Sequence, residues 1–368
     1  MMQEAPVHGG QLRHISERFG IPVSRLIDFS ANINPDGPPP SVLSTLRASL
    51  DDPEVLSAYP DLEQPELKRA IARFAGVSTS AITLGNGFVP LLESALRLLK
   101  ITRCLLPVPA FVEYRRTLER VGIEVIAHRL SEESDFRYDV SALSSGECGA
   151  ILLANPQNPS GVLTSKVDLF ALVERAATRG ITVLLDEAFI DYVPSHSLAN
   201  EAERLPNLIV FRSVTKFFGV PGLRVAYAIA NDVMTKALSG AIAPWPITTL
   251  AARAVAAGLA DEDYAERTRL VNERRRSDLK AELEALGIRT YPSAANFLLM
   301  RPPVSVHDGS FWERMIVEHC LVLRDCSNYE ALSSGHLRTA VRTERYNALL
   351  ADAVREVLSH FGLPIALR

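Results

Sequence analysis

The chain has 368 residues, 47% of them hydrophobic, 7% aromatic and 22% charged, a composition that excludes a disordered or fibrous protein and suits one enlarged α/β domain or two domains. Lys and Arg total 39 against 43 Asp and Glu, for a net charge of −4, and the basic residues are scattered, which argues against a nucleic-acid or anionic-membrane surface. No run approaches the roughly 18 apolar residues that span a bilayer, and Met1 to Gly10 lacks the pattern of a secretory leader. The four cysteines, Cys104, Cys148, Cys320 and Cys326, lack zinc-site spacing. A cytoplasmic protein with reduced thiols and no metal is expected.

In chain order, Gln11 to Phe19 has helical period and Asn34 to Pro40 is proline-rich. This N-terminal segment, residues 1–50, is expected to pack on the smaller of two units. Gly85-Asn86-Gly87 precedes an apolar helix over Val89 to Leu99. Runs rich in β-branched residues follow at 103–106, 123–126, 150–153, 181–185 and 208–211, with helical stretches at Phe111 to Val121 and Leu169 to Arg179 between them. The alternation predicts a mostly parallel sheet with crossover helices in a large domain over residues 51–255. After Pro244-Trp245-Pro246, residues 248–286 read as two long helices. Strands at 296–300 and 320–323 and a helix at 344–360 then suggest a smaller α+β unit, residues 256–368.

In an open parallel sheet the ligand sits beyond the carboxyl ends of the strands. Polar residues cluster there: Asn155-Pro156-Gln157-Asn158-Pro159-Ser160-Gly161, Asp186-Glu187, and Ser213 to Lys216. Gly85-Asn86-Gly87 at a helix entry could seat a phosphate on backbone amides, although such a tripeptide is more often a plain turn. Asp186 alone could be a solvated cap, and most lysines lie at the surface. Lys216 is less ordinary, since a lysine at the end of a buried strand has its pKa lowered by desolvation and its lone pair exposed for imine chemistry.

Seven segments, in order, resemble the fold-type I pyridoxal 5'-phosphate (PLP) enzymes of the aspartate aminotransferase superfamily, over nearly the whole chain. They are Tyr59-Pro60-Asp61, Gly85-Asn86-Gly87, Pro109-Ala110-Phe111, Asn155 to Gly161, Asp186 to Phe189, Ser213 to Arg224, and Leu337-Arg338. The resemblance implies an α/β fold with a mostly parallel seven-stranded sheet in the large domain. It also implies PLP held as a Schiff base by Lys216, with Asp186 on the pyridine nitrogen, Asn158 on the 3'-oxygen and Phe111 on the ring face. The phosphate falls to Gly87, Phe88, Ser213, Thr215 and Arg224. Tyr59 would reach the phosphate of a neighbouring subunit, which implies a homodimer. Arg338 would bind the substrate's α-carboxylate, with Asn32 close by.

Within the superfamily the chain is similar to the branch that contains histidinol-phosphate aminotransferase and threonine-phosphate decarboxylase. The stretches His8-Gly9-Gly10, Asp28 to Pro35, Thr215 to Arg224 and Arg324 to Tyr329 favour the decarboxylase side, as do Thr215 where aminotransferases of this branch carry serine and Phe189 where they carry tyrosine. Arg324, Arg338 and Arg342, with His8, would serve a phosphorylated amino acid. The expected reaction is decarboxylation of L-threonine O-3-phosphate to (R)-1-amino-2-propanol phosphate, as in cobalamin synthesis. The alternatives are a histidinol-phosphate or aromatic aminotransferase and a non-catalytic PLP-binding regulatory protein. Both reactions draw on the same residues, and the choice rests on which bond at Cα stands perpendicular to the cofactor ring.

Overall fold

Apolar runs become interior strands when both of their faces are covered, as they are here for every such run but the one at 123–126, which forms a half-exposed edge strand. In chain order the strands of the central sheet are β1 (Ile82–Asn86), β2 (Arg103–Val108), β3 (Glu124–Arg129), β4 (Ala150–Ala154), β5 (Thr182–Asp186), β6 (Leu208–Ser213) and β7 (Val225–Ile229). The computed structural model describes residues 8–144, 146–303 and 310–361; the first seven residues of the N-terminal segment and the last seven of the C-terminal unit lie outside the described residues. The sheet order is β1-β7-β6-β5-β4-β2-β3. Strands β2 to β6 pair in parallel, whereas β7 runs antiparallel to both of its neighbours, β6 and β1. Alternation along the strands sends Ile151, Leu153, Val183, Leu185 and Val210 to one core and Leu152, Leu184, Ile209 and Phe211 to the other. Helices Lys166–Ala177 and Thr249–Leu259 cover the first face; Phe88–Leu99 and Val112–Arg120 cover the second.

Five of these strands match apolar runs in the sequence. The other two, β1 and β7, escape a reading by composition, because Gly85-Asn86 looks like a turn and Ala226 and Ala228 dilute the β-branched signature of β7. Gly85 has a packing reason: a Cβ there would stand 2.5 Å from Leu91 Cγ, so glycine lets helix Phe88–Leu99 lie close against the strand.

A second core gathers Leu298, Met300, Trp312, Leu321 and Val354. Around it stands a four-stranded antiparallel sheet in the order Arg324–Asp325, Leu337–Ala340, Phe297–Arg301, Arg289–Thr290. Ile15, Leu26 and Phe29 join this core, and Ile27–Asp28 pairs in parallel with Leu321–Val322. The N-terminal segment divides, however. Helix Pro40–Leu50 turns Val42 into the large core beside helix Thr249–Leu259. The crossing point is pinned by Asn34, whose backbone N–H donates to the Lys216 carbonyl (3.0 Å) and whose Nδ2 donates to the Phe217 carbonyl (2.9 Å). Helix Glu262–Ala285 joins the cores, with Tyr264 in the first and Leu279 and Leu283 in the second. No helix among the described residues is long and apolar enough to cross a membrane.

Candidate active site

Because β4, β5 and β6 are parallel, the loop after Ala154, the carboxylate of Asp186 and the turn Ser213 to Lys216 all emerge at one edge of the sheet. Strand β7 runs the other way, so the residue before it, Arg224, arrives at the same edge; Ala226 is in register with Ser213, and Val225 with Asn86 at the end of β1. These strand ends border a cavity of about 310 Å³ between the two cores. From the large domain it is lined by Gly87, Phe88, Phe111 and Asn158, and by Asp186, Ser213, Thr215, Lys216 and Arg224. His8, Asn32, Arg324 and Arg338 line its other side.

Gly87 opens helix Phe88–Leu99 with a φ of 86°, a left-handed region that favours glycine. A Cβ at Gly87 would stand 2.5 Å from Arg224 Nη2, so the guanidinium lies directly against the bare backbone at a helix N-terminus. The hydroxyls of Ser213 and Thr215 are 2.8 Å apart beside it. Backbone amides, two hydroxyls and a guanidinium make an oxyanion cradle.

Lys216 is buried, and burial, reinforced by the positive charges of Arg338 and Arg224, lowers its pKa to about 8. Burial likewise raises Asp186, to about 6, against the opposing donations of the Tyr114 hydroxyl (2.6 Å) and the Ala188 N–H (2.9 Å). A neutral-prone amine and a carboxylate with partners thus face one cavity.

Arg324 and Arg338 are directly in register on adjacent antiparallel strands, and both are buried, at 3% and 6% exposure. Arg338 donates to Asn158 Oδ1 (2.6 Å), the Tyr329 hydroxyl (3.3 Å) and the Ser30 carbonyl (3.3 Å), while its Nε is buried without a partner among the described residues. Arg324 donates to Asn328 Oδ1 (2.7 Å) and packs over the Tyr329 ring. At the rim, His8 Nε2 is 3.0 Å from Glu113, and burial, its largest influence, lowers the imidazole's pKa.

Two of the sequence candidates stand outside the cavity. Arg342 lies beyond the end of strand Leu337–Ala340, where the chain turns toward helix Glu344–Ser359; its guanidinium donates to the Asp28 carbonyl and is sandwiched by Phe29 and Tyr346. Its expected place beside Arg338 is therefore corrected: Arg342 packs inside the small unit. Tyr59 is 80% exposed and stacks on Trp245 at 4.6 Å, away from the cavity of its own chain. The sequence reading also missed Tyr114 and Tyr329. Tyr114 stands one helical turn beyond Phe111, a spacing that puts both on one face.

A family model for aminotransferase class I and II matches residues 24–354. The chain belongs to that family. It is 33% identical to the threonine-phosphate decarboxylase of Salmonella typhimurium over 96% of each chain, and 29% identical to a histidinol-phosphate aminotransferase of Psychrobacter arcticus over 96% of this chain and 93% of that one. A histidinol-phosphate aminotransferase from Sinorhizobium meliloti, solved in complex with pyridoxal-5'-phosphate, superposes with a TM-score of 0.85 at 22% identity, covering 98% of both chains. This class I and II family member is a PLP-dependent enzyme, a decarboxylase or an aminotransferase. Its cavity fits the cofactor: the cradle at Gly87 and Arg224 suits a phosphate, and Asp186 and Lys216 suit a pyridinium and an aldehyde.

Proposed function

We propose that the chain decarboxylates L-threonine O-3-phosphate to (R)-1-amino-2-propanol phosphate, as in cobalamin synthesis. The observation that carries this reading is the pair Arg324 and Arg338, buried, in register, and opening on the cavity of Lys216. Like charges directly opposite across a ladder repel, a strain that a ligand with two anionic ends relieves. In this reading Arg338 takes the α-carboxylate, Arg324 and His8 take the phosphate, and Asn32, whose buried Oδ1 has no partner among the described residues, meets the substrate between them.

The cofactor is assigned to Lys216 as the covalent attachment residue, with Asp186 at the ring nitrogen, Asn158 at the 3'-oxygen and Phe111 on the ring face. Gly87 and Phe88 amides, Ser213, Thr215 and Arg224 hold its phosphate, and Tyr59 of a second copy completes that grip in a homodimer. When bound, PLP supplies a sink for the electron pair left at Cα. Arg338 fixes the carboxylate that leaves as CO2, and Lys216, with a pKa near 8, is suited to return a proton to Cα.

Histidinol phosphate carries one anionic end where phosphothreonine carries two, and the pair of arginines is better matched by the second. The deciding experiment supplies phosphothreonine alone, and histidinol phosphate with 2-oxoglutarate. CO2 release without any oxo acid is expected, whereas glutamate formation without CO2 would make the enzyme an aminotransferase.

A further inference from the structure

Tyr114 is fully buried on helix Val112–Arg120, and nothing in the assignments above uses it. Its hydroxyl donates to Asp186 Oδ2 at 2.6 Å, a charge-assisted distance. Its ring also meets Phe111 edge-on (5.5 Å, 89°) and Phe88 edge-on (5.6 Å, 61°). One side chain therefore touches three groups that border the cofactor cavity: the carboxylate for the ring nitrogen, the aromatic for the ring face, and the first residue of the phosphate-binding helix.

We propose that Tyr114 is the positioning residue that keeps Asp186 an ionised acceptor and so sets how fully the cofactor's ring nitrogen stays protonated. Burial pulls Asp186 toward the neutral acid, and a neutral acid cannot hold a pyridinium by charge. The Tyr114 proton is the countervailing contact: the phenol, raised well above its ordinary value by burial and by Asp186 itself, stays a donor across the working pH range. Without it, the proton shared between Asp186 and the ring nitrogen moves toward Asp186, the ring loses positive charge, and the lysine-linked nitrogen becomes more basic. The edge contacts with Phe111 and Phe88 fix the donor, because a ring wedged between two aromatics cannot turn its hydroxyl away.

This rests on the assignment of PLP to Lys216 and Asp186 but not on the choice between decarboxylation and transamination, so its test uses no substrate. The visible absorbance of the cofactor-loaded protein is followed against pH. In Tyr114→Phe the midpoint of the transition should rise by about one unit, the size of one hydrogen bond to a charged group. The same substitution, read in Asp186→Asn protein kept saturated with excess PLP, should be nearly silent, since Tyr114 acts through that carboxylate. If Tyr114→Phe does not fold, 3-fluorotyrosine at position 114, a stronger donor of almost equal size, should move the midpoint down. An unchanged midpoint in folded, cofactor-loaded Tyr114→Phe or 3-fluorotyrosine protein, or an equal shift with and without the Asp186 carboxylate, overturns the proposal. A wild-type protein with no visible band after PLP addition overturns the cofactor assignment as well.

Discussion

Lys216 and Asp186 are both buried, and burial pushes each toward its neutral form, the amine down to about 8 and the acid up to about 6. Only the neutral amine attacks an aldehyde, so cofactor uptake by cofactor-free protein should accelerate about tenfold per pH unit up to about pH 8 and then level off. A stopped-flow rate that is flat between about pH 6 and 8 would contradict this. Asp186 carries a stability consequence. Its folded value lies above the ordinary 3.8, so the stability it lends is present below about pH 3.8 and is lost as pH rises through about 6. Cofactor-free Asp186→Asn should therefore be more stable than wild type at pH 8, by about 3 kcal/mol, with the gap closing near pH 4. Chemical denaturation at the two pH values measures it, and a less stable variant at pH 8 refutes the argument. The same variant should hold PLP less tightly, because in the proposed assignment the ring nitrogen loses its charged partner.

At the level of elements, the cavity is made where a strand end meets a helix start or a turn. Asp186 and Ser213 lie on one face of β5 and β6, and the next residue along and the one before, Glu187 and Arg212, form a fully buried ion pair at 3.1 Å on the other. That pair ties together the two strand ends that carry the proposed cofactor residues, and the buried charges need each other. Gly87 performs the corresponding service between β1 and helix Phe88–Leu99. Gly87→Ala combines a φ of 86° with a Cβ driven into Arg224, so PLP affinity should fall about tenfold or more, equivalent to at least ~1.4 kcal/mol. Equilibrium dialysis reads it, and wild-type affinity in the variant would remove Gly87 from the cradle.

At the scale of the whole molecule, Asn158 from the large domain and Arg338 from the small unit meet at 2.6 Å across the cavity, so the site exists only where the two cores face each other. Tyr59, exposed and stacked on Trp245, is proposed to act in a second copy. Mixing Lys216→Ala with Tyr59→Phe chains tests this, because half of the dimers are then mixed, each mixed dimer holds one intact site of two, and about a quarter of wild-type activity should return. No recovery would return Tyr59 to its own chain or to no role.

Local chemistry made much of this protein legible from residue order alone. The β-branched runs of β4, β5 and β6, each followed by its polar cluster, predict a parallel sheet with a site at its carboxyl edge, since both faces of such strands must be apolar and their ends cannot be. The proposed cofactor residues from Gly87 to Arg224 are read from motif order. Other features needed the fold, because they depend on side-chain direction and on contacts between residues far apart in sequence. The antiparallel sense of β7 brings Arg224 to the right edge, and the chain's exit from strand Leu337–Ala340 turns Arg342 under Phe29 and away from the cavity. Cross-strand register sets Arg324 against Arg338. Tyr114 finds Asp186 across 72 residues of chain, a meeting that no local spacing encodes, because it is made by a helix packing on the face of a sheet.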